Sequence, residues 1–416
     1  MRYDAVIIGG GLSAMVCGIA LQSKGLRTAM VSAGQSAMHF SSGSFSLLNI
    51  LPDAHSVDRP LEVLDALSPA HPYSKMGSER VREYALATPA FFSECGVRLY
   101  GNPERNSWRH SATGQRKRAW LALEDTLLMP SEEYNIGRKA LIIGLYGYLD
   151  FYSTLIADKL ASYGTACRCE QIRPAATESL LSSPSEMRSV NIARRFGDRN
   201  VLKQFCDSVK ALLQDEDTVI LPQVFGLENA DDLQFIRDEV GRDVVFIGTM
   251  IPSVPGLRLQ MQLRRRYEQT GGMLLTGDSV TGGEFSDGTL QSVNTSNLGD
   301  YALRADAFVL ASGSFFGRGL HSDHDGVYES IFGLDVDYAQ DRSLWVRRNF
   351  YCSQPYMSFG VASDSQLHPS LNGRTVENLY AVGSVLSGCN SMNEGSGAGV
   401  AILTAMCAAD NICKGR

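Results

Sequence analysis

Gly9-x-Gly11-x-x-Ala14 is a spacing able to hold a phosphate. A glycine at 9 allows a tight turn. The bare backbone at Gly10 and Gly11 lets a phosphate or pyrophosphate come close, and the small Ala14 lets a following helix lie near a sheet. That helix turns free N–H groups and the positive end of its dipole toward the anion. Two later turns have the same character: Ser312-Gly313-Ser314, and Gly383-Ser384, which precedes Gly395-x-Gly397-x-Gly399. Between the first turn and these, Gln35 to Ser44 ends in Ser41-Ser42-Gly43-Ser44 and offers hydroxyl and backbone donors together.

These residues need elements to position them. The apolar run Ala5–Ile8 reads as a strand, Met15–Ser23 as a helix and Thr28–Val31 as a second strand, a βαβ unit. Leu257, Leu259, Leu263 and Tyr267 recur at helical intervals between Gly256 and Thr270, and Gly271-Gly272 ends that helix. Ala307–Ala311 and Asn378–Val382 are strands running into the later glycine turns, and a last helix continues through Val400–Ile412. The layout predicts a discontinuous nucleotide-binding domain over 1–50, 255–330 and 375–416. A lobe over 51–254 is inserted in it, and 331–374 is a connecting segment.

A nicotinamide dinucleotide needs only the first glycine turn. Three turns favour a flavin, with the 35–44 loop offering donors to its N5, O4 or ribityl chain. The expected fold is therefore α/β: a Rossmann-like flavin-binding domain of the glutathione-reductase/fumarate-reductase type with an inserted α+β lobe. The second strand ends Val31-Ser32-Ala33-Gly34, without the acid that usually holds an adenosine ribose. FMN does not need that acid. Ser32 can itself donate to a hydroxyl, so the residues leave FMN and FAD both open.

With 416 residues, 44% hydrophobic and 20% charged, the chain has the composition of a soluble protein with more than one lobe. A net charge of −7 without a long basic block argues against nucleic acid as a partner. Arg116-Lys117-Arg118 and Arg264-Arg265-Arg266 read as solvated faces. The nine cysteines include no C-x-x-C and no zinc or iron–sulfur spacing, so no metal site is expected. The chain opens on a strand rather than a signal peptide, and its apolar runs are broken by glycine, proline or Asp150, so a cytoplasmic location is expected.

The chain resembles the B-subunit family of anaerobic glycerol-3-phosphate dehydrogenase over nearly its whole length. The resemblance rests on Asp4 to Leu12, Gln35 to Ser44, Ala70-His71-Pro72-Tyr73 and Val190 to Arg194. It rests also on Ala311 to Phe316, Glu377 to Leu379 and Ala381 to Leu386. It implies FMN as cofactor, an FAD-containing catalytic subunit and a membrane-associated iron–sulfur subunit as partners, and peripheral attachment to the inner membrane through a partner. The implied reaction takes sn-glycerol 3-phosphate to dihydroxyacetone phosphate and passes electrons to quinone. No catalytic residue is carried over. Among this chain's own residues, His39 beside the serine loop is the candidate base. Arg258 and Arg194 are candidates for the substrate phosphate, and His71 before Pro72 is expected to fix a turn. The alternative is a subunit that transfers electrons or assists assembly without a substrate site.

Overall fold

The computed structural model describes residues 2–183 and 185–415. The first strand, Arg2–Ile8, lies inside a mainly parallel sheet. Thr28–Ser32 and then Met273–Thr276 flank it on one side. Leu303–Leu310 lies on the other, and its second half pairs in parallel with Leu379–Ala381. Thr289–Thr295 and Val280–Ser286 extend the sheet in antiparallel fashion. The helix Leu12–Ser23 is buried from Ser13 to Gln22, which explains its apolar character on every face. It packs between Val254–Gln269 and the C-terminal helix Gly397–Lys414. Beneath it, the Thr28 and Tyr267 hydroxyls share a hydrogen bond of 2.9 Å.

Register sets the functional edge. Ile8 stands opposite both Val31 and Leu310, and Leu310 stands opposite Ala381. Parallel strands in step end together, so the turns that follow them share one border. Backbone bonds hold those turns: Gly9 N–H to Val31 O at 2.8 Å, Ala311 N–H to Ile8 O at 2.8 Å and Val382 N–H to Leu310 O at 2.9 Å.

A second hydrophobic core, from Met129 to Ile247, surrounds a four-stranded parallel sheet. Its strand order is Asp243–Ile247, Thr218–Pro222, Lys139–Leu145, Ala166–Ile172. Parallel neighbours need crossovers, and the helices Ser153–Ala161, Arg199–Leu212 and Asp231–Val240 lie in those connections. The lobe is therefore α/β, not the expected α+β. Its separate core is also narrower than 51–254. Val57, Leu61, Val81, Phe92, Trp120 and Leu121 belong to the main core. The reason is local pairing: Ser44–Phe45 forms a ladder with the strand Leu121–Leu123, and the helix Ser78–Glu94 packs on the C-terminal helix. Leu334, Val361 and Leu367 of the connecting segment join the main core too. Among the described residues, no helix is long and apolar enough to cross a membrane.

Candidate flavin site and the cleft beside it

Gly9 has φ +127°, and a side chain there would run into the carbonyl oxygen of Ala311. The crossing of two strand ends thus requires glycine. Gly11 caps the helix Leu12–Ser23, which has no side-chain cap and no acid in its first turn. A Cβ at Gly11 would meet nothing within 4 Å, so its backbone is open to a ligand. Ser312, next to the Gly9 contact, has a buried hydroxyl with no partner. A Cβ at Gly313 would stand 3.7 Å from the exposed Ser384 hydroxyl. An open helix start, a bare Gly11 and an orphaned Ser312 hydroxyl fit the phosphate and hydroxyl groups of a flavin nucleotide.

No carboxylate among the described residues supplements this border after the second strand. The Ser32 hydroxyl packs under Gly10 and donates to Gly34 O at 3.2 Å. Asp278, whose N–H bonds Ser32 O, has its Oδ1 taken by the Ser279 and Asn297 N–H groups and the Ser296 hydroxyl. Ala14 is buried within the helix packing, as its size suggested.

The later glycines divide. The Gly383 N–H donates to the Thr404 hydroxyl at 2.9 Å, and Ser13 fills the space where a Cβ would lie. Gly395 stands against Asn49, and Gly399 stands against Leu47 and the Tyr73 hydroxyl. These three let protein elements close on one another on the side a Cβ would occupy, as Gly9 and Gly10 also do. Gly397 is more open, with Ser391 at 3.4 Å from a Cβ placed there. A buried network fixes this corner. His71 Nδ1 accepts the Tyr73 N–H at 3.0 Å as a helix cap, and its Nε2 lies 3.3 Å from Glu394. Glu394 also accepts from Ser396 and from the Asn390 N–H, while its carbonyl accepts from Asn49 and Ile50. Burial alone would raise the Glu394 pKa, but the bonds from His71, Asn390 and Ser396 hold it below its ordinary value.

The serine loop is pinned at several points. Ser253 N–H donates to His39 O at 2.9 Å, Leu123 N–H donates to Gly43 O at 2.7 Å, and Gly43 abuts Pro255. Ser41 accepts the Gly43 N–H, and the Ser42 and Ser44 hydroxyls bond each other at 2.9 Å. His39 is half-buried; burial lowers its pKa against the opposing effect of a hydrogen bond to Gln260.

A cavity opens between this loop and the lobe, lined by residues that include Phe40, Ser41, Arg109, Gln223, Thr249 and Pro255. Gln223 and Thr249 come just after the lobe strands ending at Pro222 and Ile247. In that sheet the chain leaves Lys139–Leu145 toward one side and returns on the other, a reversal whose carboxyl edge commonly binds ligands. The carboxyl edges of both sheets therefore supply turns to one cleft.

Sequence reasoning missed Arg109. Its strand, Ser107–His110, carries it to the cavity, where its Nε is buried without a partner. The available signal was compositional: no acid occurs between Glu104 and Glu124, a stretch that holds Arg105, Arg109 and Arg116 to Arg118. Arg258 is a correction. It is 2% exposed, pairs with Asp125 at 2.9 Å and donates to Gly226 O at 2.9 Å, so it is committed to the fold and closed to substrate. The helix that carries it turns this face inward. Arg194 lies exposed in the last turn of Ser189–Arg195 on the lobe.

The family described as FAD binding domain matches residues 4–400, and the chain is a Rossmann-like flavoprotein of the oxidoreductase type. Full-length relatives narrow this. A protein of Pectobacterium atrosepticum is 40% identical over all of this chain and 99% of its own length. One of Yersinia pseudotuberculosis is 38% identical over 99% and 98% of the two chains, and one of Haemophilus influenzae 35% over 99% of each. All three are named as the B-subunit of an anaerobic glycerol-3-phosphate dehydrogenase, and the chain belongs to that family. Among solved structures, 3-ketosteroid delta1-dehydrogenase from Sterolibacterium denitrificans matches with a TM-score of 0.47 and 11% identity over the whole of both chains.

Proposed function

We propose that this chain is a flavin-bearing subunit of a quinone-linked anaerobic glycerol-3-phosphate dehydrogenase, that its flavin is FMN, and that it oxidises sn-glycerol 3-phosphate to dihydroxyacetone phosphate. The observation that carries the reading is the in-step ending of the strands at Ile8, Val31, Leu310 and Ala381, joined to the family. When bound, the flavin supplies a two-electron acceptor for the substrate's C–H hydride. Gly9 to Gly11, the start of the helix Leu12–Ser23 and Ser312 would hold its phosphate and hydroxyl groups, and Ser41, Ser42 and Ser44 would offer it further donors. His39, kept neutral at pH 7 by burial, takes the hydroxyl proton. The missing carboxylate after Ser32 favours FMN over FAD, since the adenosine ribose loses its usual anchor.

The relatives' shared name supports a complex. In it an FAD-containing subunit and a membrane-associated iron–sulfur subunit carry electrons onward to quinone, and the chain sits peripherally at the cytoplasmic side of the inner membrane. Mass spectrometry of the cofactor released from purified protein tests the flavin: the mass of FMN is expected, and a mass larger by an AMP unit overturns it. Anaerobic mixing with glycerol 3-phosphate tests the reaction. Loss of the yellow absorbance is expected; an unchanged spectrum in fully loaded protein favours a subunit that only relays electrons.

A further inference from the structure

We infer that Arg109 is the anchor for a phosphate monoester in the cleft between the serine loop and the lobe, which makes this cavity the subsite for the charged end of the substrate. The inference rests on the reading above for its substrate class and adds a residue and a place.

Three observations carry it. The Arg109 Nε is enclosed and has no hydrogen-bond partner, an arrangement that costs stability unless a ligand completes it. Its Nη1 donates to the His110 carbonyl at 3.1 Å, a bond to a neutral group that leaves the charge unmet. No carboxylate among the described residues lines the cavity, and the serine and threonine hydroxyls of Ser41, Ser42, Thr126 and Thr249 are among the groups around it. A cation with no acid beside it and with hydroxyls among its neighbours favours an anion that accepts several hydrogen bonds. The cavity measures about 60 Å³. At ~10–15 Å³ for each water-sized group, this has room for the few oxygens of a phosphate rather than for a whole metabolite. The rest of the ligand then extends past Ser41 and Ser42 toward the flavin side.

Two features support the choice of ligand. Arg109 remains protonated at neutral pH: burial lowers its pKa to about 10, with no charged neighbour contributing. A phosphate monoester carries close to two charges there, and a guanidinium fork matches its oxygens. The contrast with Arg98 is instructive. Arg98 lines another surface hollow, but Glu124 lies 3.1 Å and Asp231 2.8 Å from it, so its charge is already met.

The experiment uses full-length protein isolated with its flavin. Binding of glycerol 3-phosphate, inorganic phosphate and glycerol is followed by calorimetry and by perturbation of the visible flavin spectrum. Wild-type protein is expected to bind glycerol 3-phosphate and, more weakly, phosphate, with glycerol silent. R109Q should lose at least tenfold in affinity for both phosphate ligands while keeping its flavin. R109K keeps the charge without the fork and should fall between; it also serves if R109Q does not fold. Wild-type affinity in either variant overturns the inference, as does binding of glycerol as tight as that of glycerol 3-phosphate. If phosphate binds through Arg109 but glycerol 3-phosphate leaves the flavin oxidised, the functional reading fails and the anion subsite stands.

Discussion

Gly9 and Gly11 sit two residues apart and do different work. At Gly9 both φ and the Ala311 carbonyl forbid a side chain, so G9A should unfold more easily, by about 1–3 kcal/mol in chemical denaturation of flavin-free protein. At Gly11 a methyl meets no protein atom, so G11A should stay within ~0.5 kcal/mol of wild type in the same measurement yet retain less flavin. Equal flavin content in G11A and wild type would remove Gly11 from the cofactor site. Arg258 gives the opposite lesson about charges. Its partner Asp125 is 1% exposed, so R258M leaves a buried carboxylate unpaired and should cost about 3–5 kcal/mol. R258M combined with D125N should recover part of that loss in a double-mutant cycle, and affinity for phosphate should change little in the folded variants.

At the scale of elements, Glu394 ties the corner that leads into the C-terminal helix through His71, Asn390 and Ser396. Its pKa is lowered in the folded chain, so its stabilising contribution is present above the unfolded value near 4.3 and is lost as pH falls through the folded value. The melting temperature of wild type should therefore drop on acidification below about pH 4.3 more steeply than that of E394Q, which already lacks the charge. Parallel melting curves for the two proteins would show that this carboxylate does not contribute. The N-terminal end of the helix Val254–Gln269 bears similarly on the serine loop. A side chain at Gly256 would strike the Met38 carbonyl, so G256A should displace Ala37–Phe40 and lower flavin retention, measured as the absorbance ratio of the purified protein.

Taken whole, the molecule has two large cores and a cleft bordered by both. Segments between cores open more readily than the cores themselves. Glycerol 3-phosphate should slow amide exchange in residues 39–44, 107–114 and 248–253, which border the cleft, and leave the strands Ala166–Ile172 and Val280–Ser286 unchanged. Uniform slowing across the chain would speak against a ligand seated there. The stretch 57–123 joins the two cores: Val57, Phe92, Trp120 and Leu121 belong to the main core, while Trp108 packs against the second. It carries the loop's pairing partner Leu121–Leu123 and also Arg109, so the flavin loop and the anion subsite are tied through one short run of chain.

What the sequence determined by itself is local: the apolar strand Ala5–Ile8, the turn at Gly9 and Gly11, the periodic helix ending at Gly271, and the absence of an acid after Val31. Each follows from backbone freedom or from a repeat within a few residues, and both are visible in one dimension. Tertiary structure decided which atoms remain available. Gly383, Gly395 and Gly399 share the composition of Gly11, yet Ser13, Asn49 and Leu47 arrive from elsewhere in the chain to fill the side where a Cβ would lie, while that side of Gly11 stays open. Arg258 and Arg109 carry the same charge, but Asp125, distant in sequence, neutralises the first and no acid reaches the second. Whether a charge or a bare backbone can meet a ligand depends on the neighbours brought by long-range packing, and no local pattern encodes them.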